Sequence, residues 1–139
     1  MTYATQADME DAFGATEILQ IADRDGDSLP DAGFLDAVLE RADSCIDGYL
    51  SGRYALPLAT PYPPVIVATA CDLARYWLYD NEATERVREG FEDAMAWLKD
   101  VAASKVLLQL PAASANVAVG SPDGSAPDRV FSADTLAGY

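Results

Sequence analysis

The sequence contains no histidine and only two cysteines, and its lysines and arginines number nine against 23 aspartates and glutamates. Each shortage removes a class of function. Without histidine the chain lacks the commonest general base and metal ligand of neutral pH. Cys45 and Cys71 lie in apolar helical patterns with no base near them in sequence, so they read as buried thiols rather than nucleophiles or a disulfide. A net charge of −14 without any cluster of cations excludes wrapping duplex DNA or anionic lipid, because neutralising phosphates needs grouped Lys and Arg. No glycine-rich loop opens a helix, so no phosphate cradle is expected. The most apolar stretch, residues 65–80, is broken by Asp72 and Arg75 short of the roughly 20 residues a membrane span needs. The opening MTYATQADMED has no basic region followed by an apolar run, so no secretory signal is expected.

What is present is enough apolar material for one core. Half of the 139 residues are hydrophobic, which suits a single folded domain. The stretch VIVATACDLARYWLYD, residues 65–80, is hydrophobic on nearly every face and predicts a central, largely buried helix. Pro64 is a natural first helical residue, since no amide donor is needed there. Asp72 and Arg75, three apart, are expected to pair along its one wet stripe.

Thr5 followed by Asp8 reads as an N-cap with an acidic third position, and Gly14 as the stop of a short helix. A second short helix follows over residues 16–22. Leu35, Leu39, Ala42, Ile46 and Tyr49 recur at four-three spacing and predict a long helix over 34–53. Gly48 near its end suggests close approach of another helix. ALPLATPYPP, residues 55–64, carries four prolines and should run extended across the surface. A last long helix is expected over 82–104, with Val87, Phe91, Ala94, Leu98 and Val101 as its stripe and Glu82 pairing Arg86 on its outer face. The fold class is therefore all-α: a bundle of four to five helices around a central helix at about 64–80. Leu39, Ile46, Tyr49, Leu73, Trp77, Phe91 and Leu98 are its expected core.

Asp23, Asp25 and Asp27 have the one-three-five spacing of a calcium loop, with Asp31 at position nine. The sixth position, normally glycine, is Ser28, and the twelfth, normally a bidentate glutamate, is Phe34. Losing that glutamate removes two ligand oxygens and a charge. The loop therefore reads first as an Asx-rich turn between helices, with a weak metal site as the alternative, and no metal or other cofactor is expected. A hydrolase built on a carboxylate pair has no positioned partner residue in the sequence, and no enzyme is expected.

The helical domain is expected to span 1–110. From Pro111 the composition turns to Ala, Ser, Gly and Pro without a stripe, so residues 111–139 read as an extended tail. Bulky residues return at its end in Phe131, Leu136 and Tyr139, behind Arg129. Ordering ten residues costs about 10–20 kcal/mol of backbone entropy. Burying three large side chains returns only about 5–9 kcal/mol. Segment 129–139 is thus expected to dock in a groove that also supplies backbone hydrogen bonds, with folding back on its own domain as the alternative.

YATQADMEDAFG, IADRDGD, IDGYLSGRYALPL, ACDLARYWLYD and RVFSADTLAGY, taken in this order, resemble the Mu-like phage head–tail connector proteins. The resemblance covers nearly the whole chain. Its most specific pieces are Ile46-Asp47-Gly48-Tyr49-Leu50 through Arg53-Tyr54 and Leu56-Pro57, Cys71-Asp72-Leu73-Ala74-Arg75-Tyr76, and the last ten residues. Ser28 departs from the glycine such relatives often carry after DRDGD, which further weakens the metal alternative. The resemblance implies a ring of identical copies, twelve-fold, beneath the portal of a tailed phage or phage-like particle. Such a ring, made in the bacterial host cytoplasm and placed in the neck of the virion, would extend the DNA channel and receive the next connector, stopper or tail component. No membrane contact is implied. The acidic composition suits such a channel, since it does not hold DNA by attraction. In this reading Arg129, Phe131, Leu136 and Tyr139 dock on the portal.

Overall fold

The computed structural model describes residues 2–110. These form five α-helices: α1 (Gln6–Phe13), α2 (Ala15–Ala22), α3 (Ala32–Leu50), α4 (Pro64–Tyr79) and α5 (Glu85–Ala102), with a short 3-10 turn at Asp80–Glu82. There is no strand among the described residues. The expected all-α bundle is what is found. The tail expected over 111–139 lies outside the described residues.

α4 is the centre because its sequence leaves it no wet face of useful width. Ile66, Ala70, Leu73 and Ala74 are fully buried, as are Leu39 and Ile46 on α3 and Leu98 and Val101 on α5. α3 and α5 pack on α4 from two sides, and the α1–α2 hairpin covers a third. Tyr49, Trp77 and Phe91, also expected in the core, are half-buried at its margin. Trp77 meets Phe91 edge-on at 5.9 Å, and the Arg41 guanidinium lies 4.2 Å over its ring. Such an arrangement satisfies a large ring that is only partly desolvated.

The short helices are set by local chemistry. Thr5 and Asp8 form the expected reciprocal capping box. Gly14 ends α1 and begins α2, with φ of +97°, a backbone conformation that side chains disfavour. Thr84 caps α5 by accepting from the Val87 amide at 3.3 Å.

Four expectations are corrected. Arg75 does not pair with Asp72. It reaches across to Glu17 on α2, because a bidentate carboxylate partner outcompetes one three residues away on the same helix. Glu82 belongs to the 3-10 turn before Thr84 and cannot share α5 with Arg86; the ion pairs described on α5 join Arg88 to Glu85 and Glu92. Gly48 faces open space, and the close approach occurs instead at Gly90, where an added Cβ would lie 3.6 Å from the Asp72 carboxylate. The proline-rich connection is not merely superficial: Leu58, and Tyr54 just before it, are buried against the core. Of the cysteines, Cys71 is buried and Cys45 half-buried, with its thiol 3.9 Å from the Met95 sulfur.

Candidate interaction surfaces and the acidic loop

The acidic loop folds on itself. Asp23 accepts hydrogen bonds from the amides of Gly26 (2.6 Å) and Ser28 (2.9 Å), Asp25 from Asp27 (3.1 Å), and Asp27 from Leu29 (2.9 Å). Asp31 accepts from the Arg24 amide at 2.7 Å. Against the small desolvation it suffers, those amides hold the Asp23 carboxyl below its usual range. Asp23, Asp25 and Asp27 bring one oxygen each within 4.8 Å of one another, but Asp31 stands outside that group. The geometry is that of Asx turns at Asp25 and Asp27 nested under the Asp23 carboxylate, so the loop's own amides hold these side chains in place without a cation.

A second acidic cluster lies where the N-terminal segment meets α3. Tyr3 donates its amide to both oxygens of Asp43 (3.0 and 3.2 Å) and its hydroxyl to Asp47, one turn on. Its ring sits edge-on to Tyr62 at 4.9 Å, so the segment before α1 is pinned to the connection before α4. Desolvation, offset by the Tyr3 amide and reinforced by Asp47, lifts the Asp43 carboxyl to about 6.

A cleft of about 560 Å³ opens beside α4, lined by Phe13, Glu17, Asp72, Arg75, Arg86 and Asp93 among others. Arg75 binds Glu17 through two hydrogen bonds, 2.7 and 2.8 Å, and lies 4.2 Å over the Phe13 ring. Burial pushes the Asp72 carboxyl up; Arg75 opposes this and Asp93 adds to it. The Cys71 thiol next to it is pushed up to about 12 by burial and by the charges of Asp8 and Asp72, so it is inert as a nucleophile.

Beyond α5 the chain passes the start of α4 with alternating burial. Val106, Leu108 and Leu110 pack on the core, and Leu107 stands out, 65 % exposed. The Leu108 amide donates to the Tyr54 hydroxyl at 3.0 Å. Between this segment and α4 lies an apolar groove of about 400 Å³, formed by Pro63, Pro64, Val65, Trp97 and residues 106–109. The docking residues expected at Arg129, Phe131, Leu136 and Tyr139 lie outside the described residues. The sequence reading missed this groove and the Tyr3 latch. The apolar run VLLQL after the last helix was a visible signal for the groove, whereas nothing local marks Tyr3 as a partner of residues 40 or more positions away.

A sequence profile described as "Bacteriophage Mu, Gp36" matches residues 3–124. The chain belongs to the bacteriophage Mu Gp36 family. Within it, the chain is similar to the "Mu-like prophage FluMu protein gp36" of Haemophilus influenzae, 42% identical over 87 residues that cover 59% of this chain and 61% of that protein. It is also similar to "Gene product J" of Escherichia phage Mu, 30% identical over 102 residues covering 73% of this chain and 72% of that protein. The matched region thus spans about three fifths of the Haemophilus relative's length. Membership in the Mu Gp36 family makes this a phage-related protein, and the five-helix unit is the part of the chain in which the described geometry lies.

Proposed function

We propose that this chain is a structural head–tail connector of a tailed phage or phage-like particle. Identical copies form a ring under the portal, lengthen the DNA channel, and receive the next connector, stopper or tail component in the neck of the virion. The observation that carries this reading is membership in a phage Mu family across residues 3–124, in a chain whose net charge is −14. An acidic helical subunit suits a conduit, because DNA passes a carboxylate-lined wall without adhering to it. The role is structural, with no catalytic step. Residues 129–139 anchor the ring, with Phe131, Leu136 and Tyr139 in apolar pockets of the portal and Arg129 on a carboxylate at the rim. Many copies on one ring turn weak single contacts into firm attachment.

Electron micrographs of the purified protein mixed with its portal provide the test. Rings seated on the portal are expected. A protein that stays monomeric and unattached under those conditions overturns the reading. The alternative, a small acidic metal-binding module, rests on the proximity of Asp23, Asp25 and Asp27. Their engagement by the loop's own amides favours the connector.

A further inference from the structure

Tyr3 ties the segment before α1 to two other parts of the chain. Its amide donates to both Asp43 oxygens and its hydroxyl to Asp47, while its ring stands edge-on to Tyr62 in the connection before α4. The Leu58 backbone amide of that connection also reaches the hydroxyl. Tyr3 and Ala4 are buried, although residues 2–4 belong to no helix. Thr5 closes its capping box with Asp8, so α1 keeps its cap whether or not the residues before it stay in place. Residues 2–4 can therefore leave the surface without unwinding a turn of helix. Short segments held by so few contacts open at a lower free energy than the core does.

Two carboxylates receive this one side chain. Asp43 and Asp47 lie four apart on one face of α3, where like charges repel. Glu40, a turn before Asp43, adds to the repulsion, and the amino terminus opposes it. From the connection, Tyr62 brings a ring and Leu58 an amide, neither of them a cation. Among the described residues no ion pair reaches either aspartate. Burial and the Asp47 carboxylate raise the Tyr3 phenol above its ordinary range, so it remains a donor at neutral pH. The latch is thus closed by a neutral side chain over a half-buried pair of acids.

We propose that residues 2–4 are a strap, shut by the Tyr3 contacts and loosened by ionisation of the Asp43–Asp47 pair, that opens while the five helices stay packed. An open strap uncovers the Tyr62 ring and the Asp43–Asp47 face of α3 together. Water then reaches Asp43, which the closed strap desolvates. The closed state holds the Asp43 proton more tightly than the open one, so the strap is firmest in acid and loosens as pH rises through about 6. The rise of this carboxyl from 3.8 to about 6 corresponds to roughly a hundredfold more opening at most.

Amide hydrogen exchange of the full chain, followed by NMR with the intrinsic rate at each pH divided out, provides the test. Protection of the Tyr3 amide is expected to fall about tenfold or more between about pH 4.5 and about pH 7.5. Low concentrations of urea should speed exchange at Leu98 on α5 and leave Tyr3 unchanged, the signature of local opening. Asp43→Asn, whose side-chain oxygen still accepts the Tyr3 amide, should abolish the pH dependence. Asp47→Asn should move the fall to lower pH, because a charge that helps to raise Asp43 is gone. Tyr3→Phe keeps the ring and loses the hydroxyl, and should lower protection at residue 3 at both pH values. Equal Tyr3 protection at the two pH values in the wild type overturns the proposal. So does Tyr3 exchange that follows Leu98 in urea, which would make residues 2–4 open only with the whole fold.

Discussion

The Arg75 guanidinium on α4 grips the Glu17 carboxylate on α2 with two hydrogen bonds, and the side chains are only 16 % and 25 % exposed. The pair is the polar seam between the hairpin and the central helix. Arg75 also covers the Phe13 ring, so one side chain touches both short helices. Arg75→Ala is expected to cost about 2–3 kcal/mol in urea unfolding, because it strands a mostly buried carboxylate as well as losing its own contacts. Arg75→Lys should recover less than half of that, since an ammonium offers neither the fork nor the flat face. A loss below about 0.5 kcal/mol for Arg75→Ala would mean that the pair is only a surface contact.

The Asp43 carboxyl, raised from 3.8 to about 6, makes stability depend on pH in a stated direction. A raised carboxyl binds its proton more tightly in the folded state, so its contribution is complete below about pH 4 and is lost as pH rises through about 6. Asp43→Asn keeps an oxygen for the Tyr3 amide but removes the titration. Denaturation at a series of pH values should show the wild type losing stability relative to Asp43→Asn between about pH 4 and 7. Parallel curves would show that Asp43 is not desolvated.

Calcium offers a check on the acidic loop. With both Asp23 oxygens and one oxygen each of Asp25 and Asp27 already accepting from the loop's amides, and no acidic residue at the twelfth position, calorimetric titration should give no heat of binding and no rise in melting temperature. Tight calcium binding abolished by Asp25→Asn would restore the metal reading.

The proposed anchor is tested by truncation. A chain ending at residue 128 should keep its helical circular dichroism and melting behaviour while failing to attach to portals, leaving DNA-filled heads without tails. Phe131→Ala combined with Leu136→Ala should do nearly the same. Attachment at wild-type occupancy would move the anchor into the helical unit.

The parts of this fold legible in the sequence are those decided locally. Pro64, the Thr5–Asp8 box and Gly14 mark helix ends through backbone chemistry that any tertiary setting preserves, and α4 shows itself because apolar side chains occupy nearly all its faces. Pairing choices were not legible. Arg75 had Asp72 within reach on its own helix, and only the packing of α2 beside α4 presents the better-placed Glu17. Gly48 and Gly90 look alike in sequence, yet only Gly90 is close to another helix. The candidate surfaces divide in the same way. The Asx loop follows from the spacing of its aspartates, whereas the groove requires knowing that residues 106–109 return to the start of α4.

Gly14, a single residue shared by two helices, has a bearing on how this chain tolerates length changes. Successive residues of a helix are turned by about 100°. One residue inserted between Phe13 and Ala15 would swing α2 by roughly that angle, carrying Ile18 out of the core and Glu17 away from Arg75 together. The loop at residues 23–31, anchored by its own side chains and bordered by solvent, has no such gearing. Insertions and deletions among relatives should therefore gather at the acidic loop and avoid the joint between the first two helices.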